Sequence, residues 1–260
     1  VYHNSAYGKE PIRTLEELSK KHGFELTLLA VDHPGQEQKS QWLQIRRERP
    51  DYVFMWGWGV MNQVAVQEAA NIRFPMDHFL GVWFSGSEND VLPAGDGANG
   101  YKAATWHGTG DGYPIYEDLR KHVLDTGKAA GDGSHLGEVL YNRGMYAAVI
   151  VAEIIRNAQE KTGNSVITPT DMRDGFEALG ISAERWTELG LPGFAPGFQV
   201  TCAEHSQPDL VAIQEWDAKA KVWNLITDFM EPDHDIVGAL IEEDSMAYAA
   251  ENNITPRTCE

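Results

Sequence analysis

Strand-like and helix-like stretches alternate over the first hundred residues. The alternation recurs at about 25 to 30 residues, the spacing of βαβ units rather than of a solenoid. Asn4 to Gly8 is a small polar loop. Pro11 then suits a first helical turn, Ile12, Leu15 and Leu18 share a face, and Gly23 suits the position just past a helix end. Phe24 to Val31 is strand-like, Asp32-His33-Pro34-Gly35 breaks it, and Glu37 to Glu48 carries Trp42 and Ile45 on a helical face before Pro50. Tyr52 to Trp56 is the next strand, Met61 to Asn71 the next helix, and His78 to Phe84 the strand after that. The pattern predicts an α/β, doubly wound, parallel sheet.

Two aromatic runs end strands of this sheet: Trp56-Gly57-Trp58-Gly59 and Gly81-Val82-Trp83-Phe84-Ser85-Gly86. Open α/β sheets bind ligands at the carboxyl ends of their strands. Indoles broken by glycine there make a flat apolar wall. Side chains alternate along a strand, so Trp56 and Trp58 are expected on one side with Gly57 opposite. Trp58, nearer the strand exit, is the expected wall, and Trp56 is expected to pack in the core.

Past Gly95-Asp96-Gly97 the rhythm changes. Tyr101 to Trp106 reads as one more strand and Gly108 to Gly112 as a flexible crossing. Pro114 to Asp125, Glu138 to Lys161 and Thr170 to Leu179 read as helices. Their apolar residues, Leu140, Met145, Val149, Ala152 and Ile155 among them, have no matching strands to cover. Phe198 to Cys202, Leu210 to Trp216 and Val222 to Ile226 read as antiparallel-type strands, and the tail holds one amphipathic helix at Ile236 to Ala250. Val1-Tyr2-His3-Asn4 reads as the last residues of a strand, which raises the expectation of a missing beginning.

Lys and Arg number 21 against 39 Asp and Glu, a net charge of −18 that repels nucleic acid and anionic membrane. No apolar run approaches the roughly 18 residues of a membrane helix. Cys202 and Cys259 form no CxxC and have no neighbouring His and Asp set for a metal or nucleophile. In an exported protein they would pair; two separate buried thiols are the alternative. Gly108-x-Gly110-x-Gly112 lacks the strand-to-helix turn and acidic partner of a dinucleotide site, and GxSxG, GxxxxGKS and HExxH do not occur. Glu204-His205 with Asp209 fits a turn better than an acid–base pair. A binding protein is expected, not an enzyme, with no cofactor and no metal.

Asn4-Ser5-Ala6-Tyr7-Gly8-Lys9-Glu10, Pro50-Asp51-Tyr52-Val53 before the aromatic strand, Glu68-Ala69-Ala70, and Tyr141-Asn142-Arg143-Gly144 opening a long alanine-rich helix occur in a telling order. Together they resemble the periplasmic solute-binding proteins of branched-chain amino-acid ABC transporters, the type I periplasmic binding protein fold. The ending Ile254-Thr255-Pro256-Arg257-Thr258-Cys259 resembles a subgroup associated with uptake of aromatic or other non-amino-acid carboxylates. The resemblance implies two doubly wound parallel-sheet lobes joined by a three-crossing hinge, with the first lobe incomplete in this chain. Residues 1–105 would belong to the second lobe, 106–196 to the helical remainder of the first, 197–230 to return strands of the second and 231–260 to a tail.

The resemblance further implies a periplasmic or extracytoplasmic protein, its signal peptide removed, that closes on a small-molecule ligand and delivers it to an ABC permease. An N-terminal segment of the same protein would complete the first lobe. Tyr7 would line the cleft. Amino-acid-binding relatives carry an acidic residue near Trp83 to pair with the ligand ammonium, so Val82-Trp83-Phe84-Ser85 shifts the expectation to neutral or acidic aromatics, although Glu88 or Asp90 could still supply a carboxylate. Arg143, beside Tyr141, is the expected cation for a ligand carboxylate. His33 and Ser85 are further expected hydrogen-bonding groups. The alternatives are a branched-chain or other amino-acid binder and a cytoplasmic ligand-sensing regulator of the same fold.

Overall fold

A computed structural model describes residues 1–207 and 209–259. Position 208 in the expected return segment and position 260 at the end of the tail lie outside the described residues. The chain forms two compact units, one of Val1–Thr105 with Ile213–Thr258, the other of Trp106–Ala212 with Cys259.

The first unit begins with β1 (Tyr2–His3), α1 (Ala6–Lys9), α2 (Ile12–His22), β2 (Ala30–Val31), α3 (Lys39–Glu48), β3 (Val53–Met55), α4 (Val60–Asn71), β4 (Phe79–Gly81), α5 (Glu88–Val91) and β5 (Lys102–Thr105). Local chemistry sets these boundaries. Ser5 caps α1 by accepting from the Gly8 amide at 3.3 Å, and Gly23 closes α2 in the left-handed region at φ 74°. β1 pairs with β2, β3 with β4 and β4 with β5, all parallel, and a parallel bridge between Tyr2 and Trp56 sets β1 beside β3.

Strands are shorter than the sequence pattern predicts. β2 holds only Ala30 and Val31, in register with Tyr2 and His3 of β1, and the Leu29 carbonyl just before it accepts from the Tyr2 amide at 2.9 Å. The strand predicted over His78 to Phe84 stops at Gly81, and Trp83–Ser85 forms one tight 3₁₀ turn instead. Along β3, Val53 and Met55 are buried while Phe54 between them is half exposed, the two-residue period of a sheet covered mainly on one face. The core is a run of rings: Trp42 on Phe79 at 5.3 Å, Phe79 on Tyr101 at 4.9 Å, Tyr101 on Trp223 at 6.1 Å and Trp223 on Trp216 at 5.4 Å.

The second unit holds α6 (Pro114–Leu119), α7 (Val139–Thr162), α8 (Pro169–Phe176), β6 (Gly180–Ile181), α9 (Ala183–Glu188) and β7 (Phe198–Gln199). β7 pairs antiparallel with β6. α7 buries Tyr146, Val149 and Ile154 against Leu179, Ile181, Trp186, Leu191, Phe194 and Val200, whereas of the residues expected to need cover only Val149 is buried, and Leu140 is 50% exposed. Glu153, on the same helix and buried, accepts from Arg156 at 3.0 Å and from Arg185 at 2.8 Å, tying α7 to α9.

β8 (Ala212–Asp217) and β9 (Val222–Leu225) form an antiparallel pair that extends the first unit's sheet to the order β3-β4-β5-β8-β9. α10 (His234–Glu251) packs along α2, with Arg13 bonded to Glu243 at 2.5 Å and to Asp244 at 2.9 Å. Cys202 and Cys259 are joined in a disulfide that spans 57 residues of chain.

Candidate functional site

Four parallel strands, β2, β1, β3 and β4, bring their carboxyl ends to one edge of the first unit, and the side chains just beyond those ends are aromatic. His3 ends β1 and Tyr7 follows on α1; His33 lies just after β2; Trp56 and Trp58 follow β3; Trp83 and Phe84 follow β4. Tyr7 stands 6.2 Å from Trp56 and edge-on to Phe84 at 5.5 Å. Phe84 stacks on Trp83 with ring centroids 3.5 Å apart. His3 meets His33 edge-on at 5.6 Å and Trp58 at 5.7 Å. Trp58 is 48% exposed and Phe84 42%, whereas His3 is buried.

Three buried polar atoms in this group have no hydrogen-bond partner among the described residues: the Tyr7 hydroxyl, the Trp56 indole nitrogen and His3 Nε2. Buried polar groups are almost always satisfied, so each calls for a water or ligand. The other His3 nitrogen lies 2.9 Å from Ser5 Oγ. Burial first, and then His33, hold the His3 imidazole below its ordinary value of 6.5, which keeps the ring neutral at neutral pH. Burial likewise pushes the Tyr7 phenol up, so it remains a protonated donor.

Behind the rings lies a buried polar network. Ser85 Oγ lies 3.1 Å from both Gly57 O and Asn62 Oδ1, and Asn62 Nδ2 donates to Phe84 O at 2.8 Å and to Asp90 at 3.0 Å. The other Asp90 oxygen accepts from the Ser87 amide and hydroxyl, both at 2.8 Å, closing a capping box at the start of α5. Ser85 is fully buried and its hydroxyl is engaged, which corrects its expected role as a donor to ligand: it ties one aromatic loop to the other. Asp90 is similarly committed to the fold.

In the second unit, Tyr141 and Arg143 are the third and fifth residues of α7. Arg143 lies over the Trp106 ring at 4.9 Å, a cation–π contact, and Tyr141 is 6.0 Å from Tyr116. Asn142 between them is buried, donating to Gly108 O and Gly110 O at 3.0 Å each and accepting from the Tyr116 hydroxyl. His107 stacks on Phe194 at 5.5 Å, and burial, with the Arg143 charge, pushes its imidazole down to about 4.

Of the expected residues, the structure gathers Tyr7, His33, Trp58 and Trp83 at one edge of the first unit and Tyr141 with Arg143 at one helix start of the second. Sequence reasoning missed His3, Phe84 and the Trp56 indole as part of the aromatic group. The parallel placement of β1 beside β3 creates their proximity, and the pattern of residues gives no signal for that register. Among the described residues no group of His, Cys, Asp or Glu could hold a metal ion, and no helix is long and apolar enough to cross a membrane.

A model of the periplasmic binding protein family matches residues 1–221. No curated protein sequence matches the chain. Among solved structures, an ABC transporter permease from the Pseudomonas fluorescens group is 39% identical with a TM-score of 0.92, over all of this chain and 62% of that one. A branched-chain amino acid ABC transporter from Thermus thermophilus with bound valine is 20% identical with a TM-score of 0.71, over 89% of this chain and 59% of that one. A solute-binding protein of an ABC transporter from R. palustris, in complex with benzoate, is 14% identical with a TM-score of 0.61, over 89% of this chain and 58% of that one. The chain thus spans about three fifths of the length of these relatives, and the likeness to the last two carries the fold alone.

Proposed function

The chain belongs to the periplasmic binding protein family, and from that membership we propose that it is the larger part of an extracytoplasmic solute-binding component of an ABC importer. Its ligand is a small aromatic or other hydrophobic carboxylate, captured by closure of the intact protein and released to a membrane permease. Residues 1–105 act as the second lobe and 106–196 as a remainder of the first, which a preceding segment of the same protein completes. The reading makes the protein a carrier with no turnover.

One observation carries the reading: half-exposed rings surround three unpartnered polar atoms, the Tyr7 hydroxyl, the Trp56 indole nitrogen and His3 Nε2, at the carboxyl edge of a parallel sheet. The rings offer faces to an apolar body, and the hydroxyl and the indole N–H, buried among them, are donors left without an acceptor among the described residues. A zwitterionic amino acid needs a counter-charge for its ammonium, and an unpaired buried ammonium costs several kcal/mol. Of the two candidates for that charge, Glu88 and Asp90, Asp90 has its carboxylate taken by Ser87 and Asn62, which leaves Glu88, in the first turn of α5, as the carboxylate an amino-acid ligand would need. Benzoate in the R. palustris neighbour is compatible with this chemistry. Valine in the Thermus neighbour supports the alternative of an amino-acid ligand.

Thermal unfolding of the full-length protein, recorded with a panel of aromatic acids and branched-chain amino acids, tests the proposal. Stabilisation by an aromatic acid is expected; no stabilisation by any member of the panel overturns it. The disulfide between Cys202 and Cys259 supports an extracytoplasmic location over a reducing cytosol. A mass measurement after alkylation, with and without reductant, on protein taken from its native cell separates the two.

A further inference from the structure

The loop that carries Trp83 and Phe84 presents three consecutive backbone carbonyls, and a different buried side chain takes each one. Asn62 Nδ2 on α4 donates to Phe84 O at 2.8 Å, the Tyr101 hydroxyl just before β5 donates to Ser85 O at 2.9 Å, and Gln214 Nε2 on β8 donates to Gly86 O at 2.8 Å. Asn62, Tyr101 and Gln214 are all fully buried. They come from three separate elements, Gln214 from 128 residues further along the chain. Ser85 Oγ then reaches Gly57 O, so the same clamp bears on the loop that carries Trp56 and Trp58.

The clamp requires room at two glycines. A Cβ at Gly86 would lie 2.5 Å from the Ala103 Cβ and 2.7 Å from Gln214 Nε2, and a Cβ at Gly81 would overlap the Tyr101 hydroxyl. The clamped segment is a single three-residue turn with no ladder of its own. A turn so short has no intrinsic stability, so its shape is set by what grips it.

We propose that Asn62, Tyr101 and Gln214 are positioning residues for ligand capture, holding the Trp83–Phe84 face in its binding arrangement before the ligand arrives. The proposal rests on the ligand-capture reading above. A wall fixed in advance spares the complex the ordering cost of its side chains and loop. Loosening the clamp leaves the direct contacts to ligand intact but lowers the fraction of molecules ready to bind, and apparent affinity falls by that fraction. The loss therefore enters the association rate, whereas the loss of a direct contact enters the dissociation rate.

Tyr101→Phe removes one hydroxyl and keeps the ring against Phe79 and Trp223; Gln214→Met removes the amide at similar volume. Both are compared with wild type in the full-length protein by stopped-flow tryptophan fluorescence against benzoate, 4-hydroxybenzoate, phenylacetate, valine and leucine. Amide hydrogen exchange is followed at Ser85, whose N–H donates to Val82 O at 2.8 Å. Each variant is expected to bind about tenfold more slowly, to dissociate within about twofold of wild type, and to exchange at Ser85 about tenfold faster. Unchanged affinity, a loss confined to dissociation, or unchanged exchange at Ser85 overturns the positioning role. Wild-type protein that binds no member of the panel refutes the capture reading first, a failure visible before any substitution is made, and the positioning role falls with it.

Discussion

Replacing Trp58 with alanine separates the two halves of one side chain. An indole of roughly 200 Å² that is 48% exposed offers about 100 Å² to a ligand and keeps about 100 Å² against the protein, including the edge of His3 at 5.7 Å. At about 25 cal/mol per Å² the open half is worth at most about 2.5 kcal/mol to a bound apolar ligand, roughly 60-fold in affinity. Association costs reduce the realised part, so a loss of about 10- to 60-fold is expected. The inner half costs the fold about 2 kcal/mol, a fall of about 4 to 8 °C in melting temperature. Tyr52→Ala is the matched control, because Tyr52 is 61% exposed and precedes β3, at the end of the strand remote from Trp58. Titration calorimetry on wild type, Trp58→Ala and Tyr52→Ala, well below the melting temperature, reads the difference. Equal affinities in the two variants would refute the placement of the ligand at the carboxyl edge.

Glu153→Ala removes the carboxylate shared by Arg156 and Arg185, which are partly exposed and keep Glu160 and Glu188 as second partners, and is expected to cost about 2 kcal/mol at neutral pH by urea unfolding. The Arg185 hydrogen bond, and then that of Arg156, hold the Glu153 carboxyl below its ordinary value of 4.5, so the unfolded chain takes up its proton first. The stabilisation is full above that ordinary value and is lost as pH falls through the lower folded one, and the gap between wild type and Glu153→Ala should narrow on that acid side. Gly8→Ala drives a Cβ into the His3 carbonyl, a backbone atom that cannot turn aside, and is expected to cost about 3 kcal/mol in the same assay. Reduction of the Cys202–Cys259 bond frees a loop of 57 residues and should lower stability by up to about 4 kcal/mol, read by urea unfolding with and without reductant.

The parallel α/β architecture is legible in the sequence because its punctuation is local. Pro11, Gly23 and the Asp32-His33-Pro34-Gly35 break mark element ends through backbone chemistry that acts within a few residues. The aromatic edge is legible for the same reason, since Trp58 and Trp83 each follow a recognisable strand. The conformation of Trp83–Ser85 is not legible, because it is fixed by Asn62, Tyr101 and Gln214 and not by its own residues. The pairing of β7 with β6 is also hidden, since two-residue strands carry too little alternation to declare a partner. The buried donors of Tyr7 and Trp56 emerge only once β1 lies beside β3, a register that spacing cannot predict.

On the proposed function the aromatic edge, with Asp90 committed to the fold, takes an aromatic carboxylate and not an amino acid. Calorimetric titration of the full-length protein with benzoate, 4-hydroxybenzoate, valine and leucine separates the two ligand classes. At least one of the two aromatic acids is predicted to bind at about 1 μM or tighter while valine and leucine give no heat of binding. Binding of valine or leucine with no response to either aromatic acid would contradict it.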